Sequence, residues 1–493
     1  MSGRRVVVVG HGMVAVRLVE LLVAGGWIDD GGSVVVVGEE AGPAYNRILL
    51  SAVLEGTHDG DALALREPGW YAEHGVELRT GVRVHGVDRA AREVELQDGS
   101  RVGYDHLVLA TGAVATLPPI RGLVLEDGRL DPRVHAFRSL ADCRRLRAAL
   151  TDAAEPVRRA VVIGGGLLGL QVARALGAHS VVTEVVEGGE HLLARQLGPA
   201  GGGVLARDLA RLGTPVYTGA RAVRLVPAPD AEHALGVRLD NGHVLSTDLV
   251  VLTAGSRPST RLARRCGLEV RRGVVVDDHL TSVTDPAVHA IGDCAEHRDR
   301  VAGFVAPGWE QAEVLAARLL GADVTYDGVR EVARLRATDL DVAVLGDPER
   351  ATGEVVEVTN PLAGSHRKLV VRDGRIVAAA LVGDTSRVGL LTQYVDRGTV
   401  LGPREPGELL LPDPTTTAAG PAALPDDVEV CACAGVSAGA IRACGSLARA
   451  RETTRATTGC GGCAATVRAL LAAASPDASP DAPAHPSRER TLR

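Results

Sequence analysis

The residue types with the clearest chemical spacing lie towards the C-terminal end, where Cys431-Ala432-Cys433 precedes Cys460-Gly461-Gly462-Cys463 by 26 intervening residues. Four thiolates in two close pairs can hold two irons bridged by sulfide, and the small Ala and Gly spacers let backbone N–H groups reach the sulfurs. The same soft tetrahedral set also suits a structural zinc ion, although a CxC pair is less usual for zinc. Clustered pairs of this kind point to metal rather than to disulfides. Cys143, Cys266 and Cys294 stand alone and read as small buried apolar side chains, and Cys444 as core-facing on a helix. No cysteine precedes Cys143. Lys368 is the only lysine, so Schiff-base catalysis has almost nowhere to act.

Two glycine turns carry a second chemistry. Gly10-His11-Gly12-Met13-Val14-Ala15 is a GxGxxA turn, in which the first glycine permits a tight turn and the second lets backbone approach a pyrophosphate. The small Ala15 lets helix and strand pack closely, and the helix N-terminus offers free N–H groups to phosphate. Glu39, with Glu40 as a substitute, is placed to accept a ribose hydroxyl. Gly164-Gly165-Gly166-Leu167-Leu168-Gly169 is a full GxGxxG, and Glu187 follows Gly169 by 18 residues. Gly188-Gly189-Glu190 comes next, without an arginine for a 2′-phosphate, so NADH is favoured over NADPH unless an arginine folds in from elsewhere.

The elements that must position these groups follow from hydrophobic patterning. RRVVVVGHGMVAVRLVELL with SVVVVGEE, and RRAVVIGGGLLGLQVARAL with SVVTEVVEGGE, are both strand–turn–helix–strand units. Two such units predict two Rossmann-like dinucleotide-binding folds in an α/β chain. The expected ranges are 1–120 with 250–322 for the first fold and 121–249 for the second. A small α+β domain follows over 323–411, then a linker (412–427), a small helical cluster domain (428–472) and a disordered tail (473–493). At 493 residues with 46% hydrophobic content, the chain can fill several cores. A net charge of −7 and 11 aromatic residues argue against nucleic-acid binding. No apolar run is long enough for a membrane helix, and Gly10, His11 and Gly12 interrupt the one that imitates a signal peptide, so a cytoplasmic location is expected.

LVLATGA (Leu107 to Ala113), VVLTAGSRP (Val250 to Pro258) and AIGDCAE (Ala290 to Glu296) resemble recurrent segments of two-dinucleotide-domain flavoprotein reductases. That resemblance implies the flavoprotein disulfide reductase-like architecture, with FAD on the first fold and the nicotinamide on the second. The implied FAD-binding residues are Gly10, Gly12, Met13, Ala15, Glu39, Arg47, Ala110, Thr111, Gly112, Gly292, Asp293 and Glu310, with Asp293 directed at the flavin's ribityl chain. The implied NADH-binding residues are Gly164, Gly166, Leu167, Gly169, Glu187 and Gly255. No side-chain acid or base is implied, because the cofactors carry the hydride transfer.

GEEAGPAYNRILLSAVLEG (Gly38 to Gly56) and VAPGWEQAEVLA (Val305 to Ala316) are more specifically similar to the flavoprotein part of NADH-dependent nitrite reductases and to electron-transfer subunits of assimilatory nitrate reductases. The rubredoxin- and ferredoxin-reductase branch usually carries a lysine after its Leu-Ser pair, but Leu50-Ser51 is followed here by Ala52. Arg47 is also open to reading as a surface salt bridge. VCACAGVSAGAIRAC with TTGCGGC resembles the bacterioferritin-associated ferredoxin-like [2Fe–2S] domain, which weights Cys431, Cys433, Cys460 and Cys463 towards iron.

The chain has no further cysteine cluster for a sirohaem centre. The resemblance therefore implies a partner, either a molybdenum-containing assimilatory nitrate reductase catalytic subunit or a nitrite reductase subunit. A homodimer is compatible with this reading. The alternatives are a ferredoxin- or rubredoxin-type reductase with a fused ferredoxin domain, and a flavin redox sensor without turnover.

Overall fold

Valine-rich runs dominate the strands, and their neighbours in the sheet explain why. In the computed structural model, Arg5–Val9 pairs in parallel with Ser33–Gly38 on one side and His106–Leu109 on the other. Val6, Val7 and Val8 are fully buried, as expected for a strand covered on both faces. The structure describes residues 4–151, 156–230, 232–328, 332–337, 339–411, 424–431, 434–458 and 463–474. The chain divides into two units, Met1–Pro412 and Asp413–Arg493.

Within the first unit, an eight-stranded sheet runs in the spatial order Val76–Thr80, Ser33–Gly38, Arg5–Val9, His106–Leu109, Asp285–Ala290, Thr281–Ser282, Val274–Val276, Ala295–His297. A five-stranded parallel sheet follows the order Val216–Thr218, Val182–Glu187, Arg159–Ile163, Leu249–Leu252, Val134–Ala136. Each sheet is accompanied by a three-stranded antiparallel sheet, Val84–Asp88 to Arg101–Gly103 and Ala222–Val226 to Val244–Thr247. The eight-stranded sheet is mixed, because Thr281–Ser282 runs antiparallel to both neighbours, and the strands Ala113–Ala115 and Ser256–Pro258, one following each of the two large sheets, pair antiparallel. The second parallel sheet takes in Leu249–Leu252, paired with Arg159–Ile163, so this fold runs past the 121–249 range expected from sequence. The reason is physical: Val250 and Val251 are fully buried there, and VVLTAG plays for the second fold the part that LVLATG plays for the first.

Residues 332–382 form a five-stranded antiparallel sheet, packed by the helix Val388–Arg397 and a short helix, Glu405–Leu409. The helix Val388–Arg397 ends on Gly398 in the left-handed conformation that glycine adopts cheaply. The second unit holds the short strands Glu429–Cys431 and Val436–Ser437 and the helices Ala438–Cys444, Leu447–Thr454 and Ala464–Ala474. Ser437 and Ser446 cap the first two helices by accepting from Ala440 N–H and Arg449 N–H. Most of the expected linker, 412–423, and the tail from 475 onwards lie outside the described residues.

Candidate functional site

Both glycine turns are built to the same physical plan. Gly10 has φ +114°, and a β-carbon on it would lie 2.2 Å from the Ala110 carbonyl oxygen of the neighbouring strand end. Gly164 has φ +117°, and its β-carbon would lie 2.5 Å from Thr253 O. Only glycine satisfies both the positive φ and the close crossing. The next motif glycines, Gly12 and Gly166, are extended, and a β-carbon on either meets nothing within 4 Å. They begin the helices Met13–Ala24 and Leu167–Ala178, and neither helix has a side-chain N-cap. Each turn therefore opens unobstructed space in front of uncapped helix amides, the donor set an anionic pyrophosphate requires.

The third motif position packs instead of opening. Ala15 is buried, and a β-carbon on Gly169 would fall 1.9 Å from Gly164 O and 2.7 Å from Thr253 Oγ1. Met13 is buried, and its carbonyl accepts Trp309 Nε1–H at 3.4 Å. Leu167 opens the equivalent helix and packs against the second fold's core.

Around the first turn, the carboxyl ends of adjacent strands deliver Glu39, the segment Ala110-Thr111-Gly112 and the pair Gly292-Asp293. Thr111 Oγ1 donates to Ser259 O at 2.7 Å, Gly112 has φ +63°, and Gly255 repeats this in the second fold at φ +88°. Gly292 has φ +75°, and its N–H donates to the buried Gln311 Oε1 at 2.7 Å from the helix Val305–Leu319. Glu310 lies half-buried on that helix. The Asp293 carboxylate accepts Arg138 Nη2–H at 2.8 Å, and Arg138 Nε–H also donates to Ala113 O at 2.9 Å. The sequence does not single out Arg138, since nothing local marks an arginine whose partner lies 155 residues away.

Arg47 does form a salt bridge, with Glu40, and it also donates to Arg138 O at 3.4 Å. It thereby ties Glu40 to the Arg138–Asp293 pair. Tyr45 joins the same group: its hydroxyl donates to Glu40 Oε2 at 2.8 Å and accepts Leu140 N–H at 2.9 Å. Glu39 is exposed beyond the strand end and pairs with Arg83. His11, between the two motif glycines, meets Tyr71 Oη at 2.8 Å, and burial pushes its ring down to about 4 despite the nearby Glu40 charge.

In the second fold, Glu187 ends its strand with both carboxylate oxygens engaged, accepting Gly165 N–H at 2.7 Å and Gly189 N–H at 2.6 Å. These bonds hold the strand end against the glycine turn.

The single thiols occupy apolar sites. Cys143 is buried, its S–H directed to Leu50 O at 3.5 Å, and burial pushes its pKa up to about 11. Cys294 is buried against Leu109 O at 3.2 Å, with its thiol also held above its ordinary range by burial. Cys266 Sγ lies 3.3 Å from Ala263 O. In the second unit, Cys431 and Cys463 are buried in one small core with Val436, Ile441, Val467 and Leu470. Cys433 and Cys460 lie outside the described residues, and Cys444 ends its helix with Sγ 3.1 Å from Ala440 O. Among the described residues no helix is long and apolar enough to cross a membrane.

Comparison with known proteins sets these sites in context. Residues 4–314 match the family described as pyridine nucleotide-disulphide oxidoreductase, and residues 332–399 match the rubredoxin NAD+ reductase C-terminal domain. The chain is 36% identical to the nitrite reductase [NAD(P)H] large subunit of Klebsiella oxytoca, over 94% of this chain and 48% of that protein. It is 30% identical to the assimilatory nitrate reductase electron transfer subunit of Bacillus subtilis, over 96% of this chain and 60% of that protein. The chain thus spans about half the length of the relatives it matches. Among solved structures, it is similar to a covalent putidaredoxin reductase–putidaredoxin complex, with TM-score 0.73 and 26% identity over 83% of this chain and 96% of that one. A ferredoxin reductase from Rhodopseudomonas palustris aligns with TM-score 0.73 and 25% identity, over 85% of this chain and all of that one.

Proposed function

The chain belongs to the pyridine nucleotide-disulphide oxidoreductase family, and we propose that it is an FAD-dependent NADH oxidoreductase passing electrons through a [2Fe–2S] centre to a partner reductase. The observation that carries this reading is the duplicated turn: two folds, each with open space before uncapped helix amides. One such site fits a resident dinucleotide and the other an exchanging one. Despite the family's name, no cysteine lies in the first 142 residues, so the redox work falls to cofactors rather than to a thiol pair.

FAD held on the first fold would supply hydride acceptance from NADH and release of single electrons. Gly10, Gly12 and the uncapped helix amides beginning at Met13 would receive the pyrophosphate, the buried Ala15 would let helix and strand pack closely behind it, and Glu39 would take the adenosine ribose. Ala110, Thr111, Gly112, Gly292 and Glu310 would line the same crevice. Asp293 would receive the ribityl hydroxyls, held in place by Arg138, which Arg47 supports. Gly164, Gly166, Leu167, Gly169, Glu187 and Gly255 would seat the NADH and orient its nicotinamide. Cys431, Cys433, Cys460 and Cys463 would ligate the cluster; the buried, apolar placement of Cys431 and Cys463 supports this donor set.

The names of the relatives support a catalytic partner; we propose that it is a molybdenum-containing nitrate reductase catalytic subunit, with a nitrite-reducing subunit as the alternative acceptor. A cytoplasmic location belongs to the same proposal, since a reducing compartment keeps cluster-ligating cysteines out of disulfides. The structural likeness to ferredoxin reductases favours a second reading, a general ferredoxin reductase, but Ala52 lacks that branch's lysine.

Anaerobic titration with NADH tests the proposal. Flavin and cluster bands that both bleach support it, whereas zinc without iron on metal analysis would refute the cluster. Nitrate- or nitrite-dependent NADH oxidation with purified candidate partners then identifies the acceptor.

A further inference from the structure

The second fold contains a cation that its motif does not announce. The strand Val182–Glu187 ends beside the loop that follows Val216–Thr218, and backbone bonds lock the two together. Gly219 N–H donates to Gly189 O at 2.7 Å, and Ala220 N–H donates to Glu187 O at 3.2 Å. Arg221 comes next, its backbone fixed on both sides by Asp240: its N–H donates to Asp240 Oδ1 at 3.1 Å, and its carbonyl accepts Asp240 N–H at 2.9 Å.

The Arg221 side chain lies across Gly188, the residue immediately after Glu187. A β-carbon on Gly188 would sit 3.3 Å from Arg221 Cγ, 3.4 Å from Nε and 3.8 Å from Cδ. A β-carbon at 188 would press on the arginine stem, which would have to give by a few tenths of an ångström. Arg221 is exposed, and its guanidinium makes no ion pair or hydrogen bond among the described residues. The carboxylate of Glu187, the residue before Gly188, already accepts two backbone amides.

We propose that Arg221 is a specificity-determining residue for the nucleotide, offering its guanidinium to an adenosine 2′-phosphate so that the second fold accepts NADPH alongside NADH. Guanidinium–phosphate hydrogen bonds are charge-assisted, and the planar fork matches phosphate geometry. Glu187 and the exposed Glu190 oppose the 2′-phosphate, which is why acceptance of both nucleotides is expected rather than a switch to NADPH. The assignment rests on the reading of the second fold as the nicotinamide-nucleotide site.

The test uses the full chain loaded with FAD and calorimetric titration of AMP and adenosine 2′,5′-bisphosphate. Wild type should bind both. Arg221→Gln should weaken the bisphosphate about tenfold and leave AMP within twofold, with Arg221→Lys recovering part of the loss. The same variant should lower kcat/KM for NADPH about tenfold and leave that for NADH nearly unchanged. Wild type that binds AMP but not the bisphosphate, or an Arg221→Gln variant with equal losses or none, overturns the role of Arg221. Binding of neither nucleotide, with no flavin reduction by NADH, overturns the reading of the fold itself.

Discussion

Arg138 donates from Nη2 to the Asp293 carboxylate at 2.8 Å, bridging the start of the helix Leu140–Thr151 and the loop after Asp285–Ala290. Both side chains are about a quarter exposed, so the ion pair itself adds little stability, and its importance is positional. Removing the arginine leaves a half-buried carboxylate and the Ala113 carbonyl without this donor, at a cost of roughly 1–3 kcal/mol. Arg138→Ala is expected to lose FAD on dialysis and to unfold at lower urea. Flavin-to-protein absorbance and an unfolding midpoint both equal to wild type would contradict this.

Gly12 and Gly169 should respond differently to the same substitution. Gly12 is extended and unobstructed, so Gly12→Ala should fold normally yet retain little FAD, because the new methyl occupies the space before the helix amides. Gly169→Ala forces a methyl against Gly164 O, so it should destabilise the second fold by about 1–3 kcal/mol or more. Paired measurements of flavin content and urea unfolding separate the two outcomes. Equal effects of both variants on folding would refute the distinction.

Two histidines, the half-buried His11 and the buried His289, predict acid sensitivity. Burial lowers both His11 and His289 to about 4, with His106 adding to the shift at His289. The folded state thus holds fewer protons than an unfolded chain whose histidines titrate near 6.5. The stability from their neutral forms is complete above pH 6.5 and falls as pH drops from 6.5 towards 4. The slope is at most about 1.4 kcal/mol per pH unit for each histidine. His11→Asn should flatten the dependence of the urea midpoint on pH over this window; an unaltered slope would argue against His11 as a source.

If electrons move without thiol exchange, the single cysteines are dispensable. Cys143 is buried with its pKa near 11, so native protein should resist alkylation there at neutral pH. Cys143→Ala should keep NADH-driven flavin reduction at its wild-type rate, which stopped-flow absorbance reads directly. A loss of reduction with FAD still bound would reopen thiol chemistry.

Cys463 separates cluster from flavin. Because the two units have separate cores, Cys463→Ala should abolish cluster absorbance and iron content while leaving flavin reduction by NADH intact. Iron retained at the wild-type level in this variant would remove Cys463 from the ligand set.

Much of this protein is legible along the chain because its key devices are local. A glycine turn between a valine strand and an amphipathic helix specifies its own geometry, since φ near +115° and close backbone crossing are possible only for glycine. The two nucleotide turns, the acids after their second strands and the paired cysteines could therefore be named from residue type and spacing. The boundary near residue 250 was not legible in the same way. Leu249–Leu252 is equally apolar whichever sheet receives it, and only pairing with Arg159–Ile163 decides.

Tertiary structure alone decided the charges. Arg138 reaches Asp293 from a loop that follows a strand of the other sheet, and Arg221 crosses Gly188 because Val182–Glu187 and Val216–Thr218 pair and end side by side. An arginine's pattern in the sequence is the same whether it faces solvent or a ribose. The sequence determined which chemistry the two folds can hold, whereas the third dimension determined which cations stand beside it, because long flexible side chains find partners by proximity rather than by spacing.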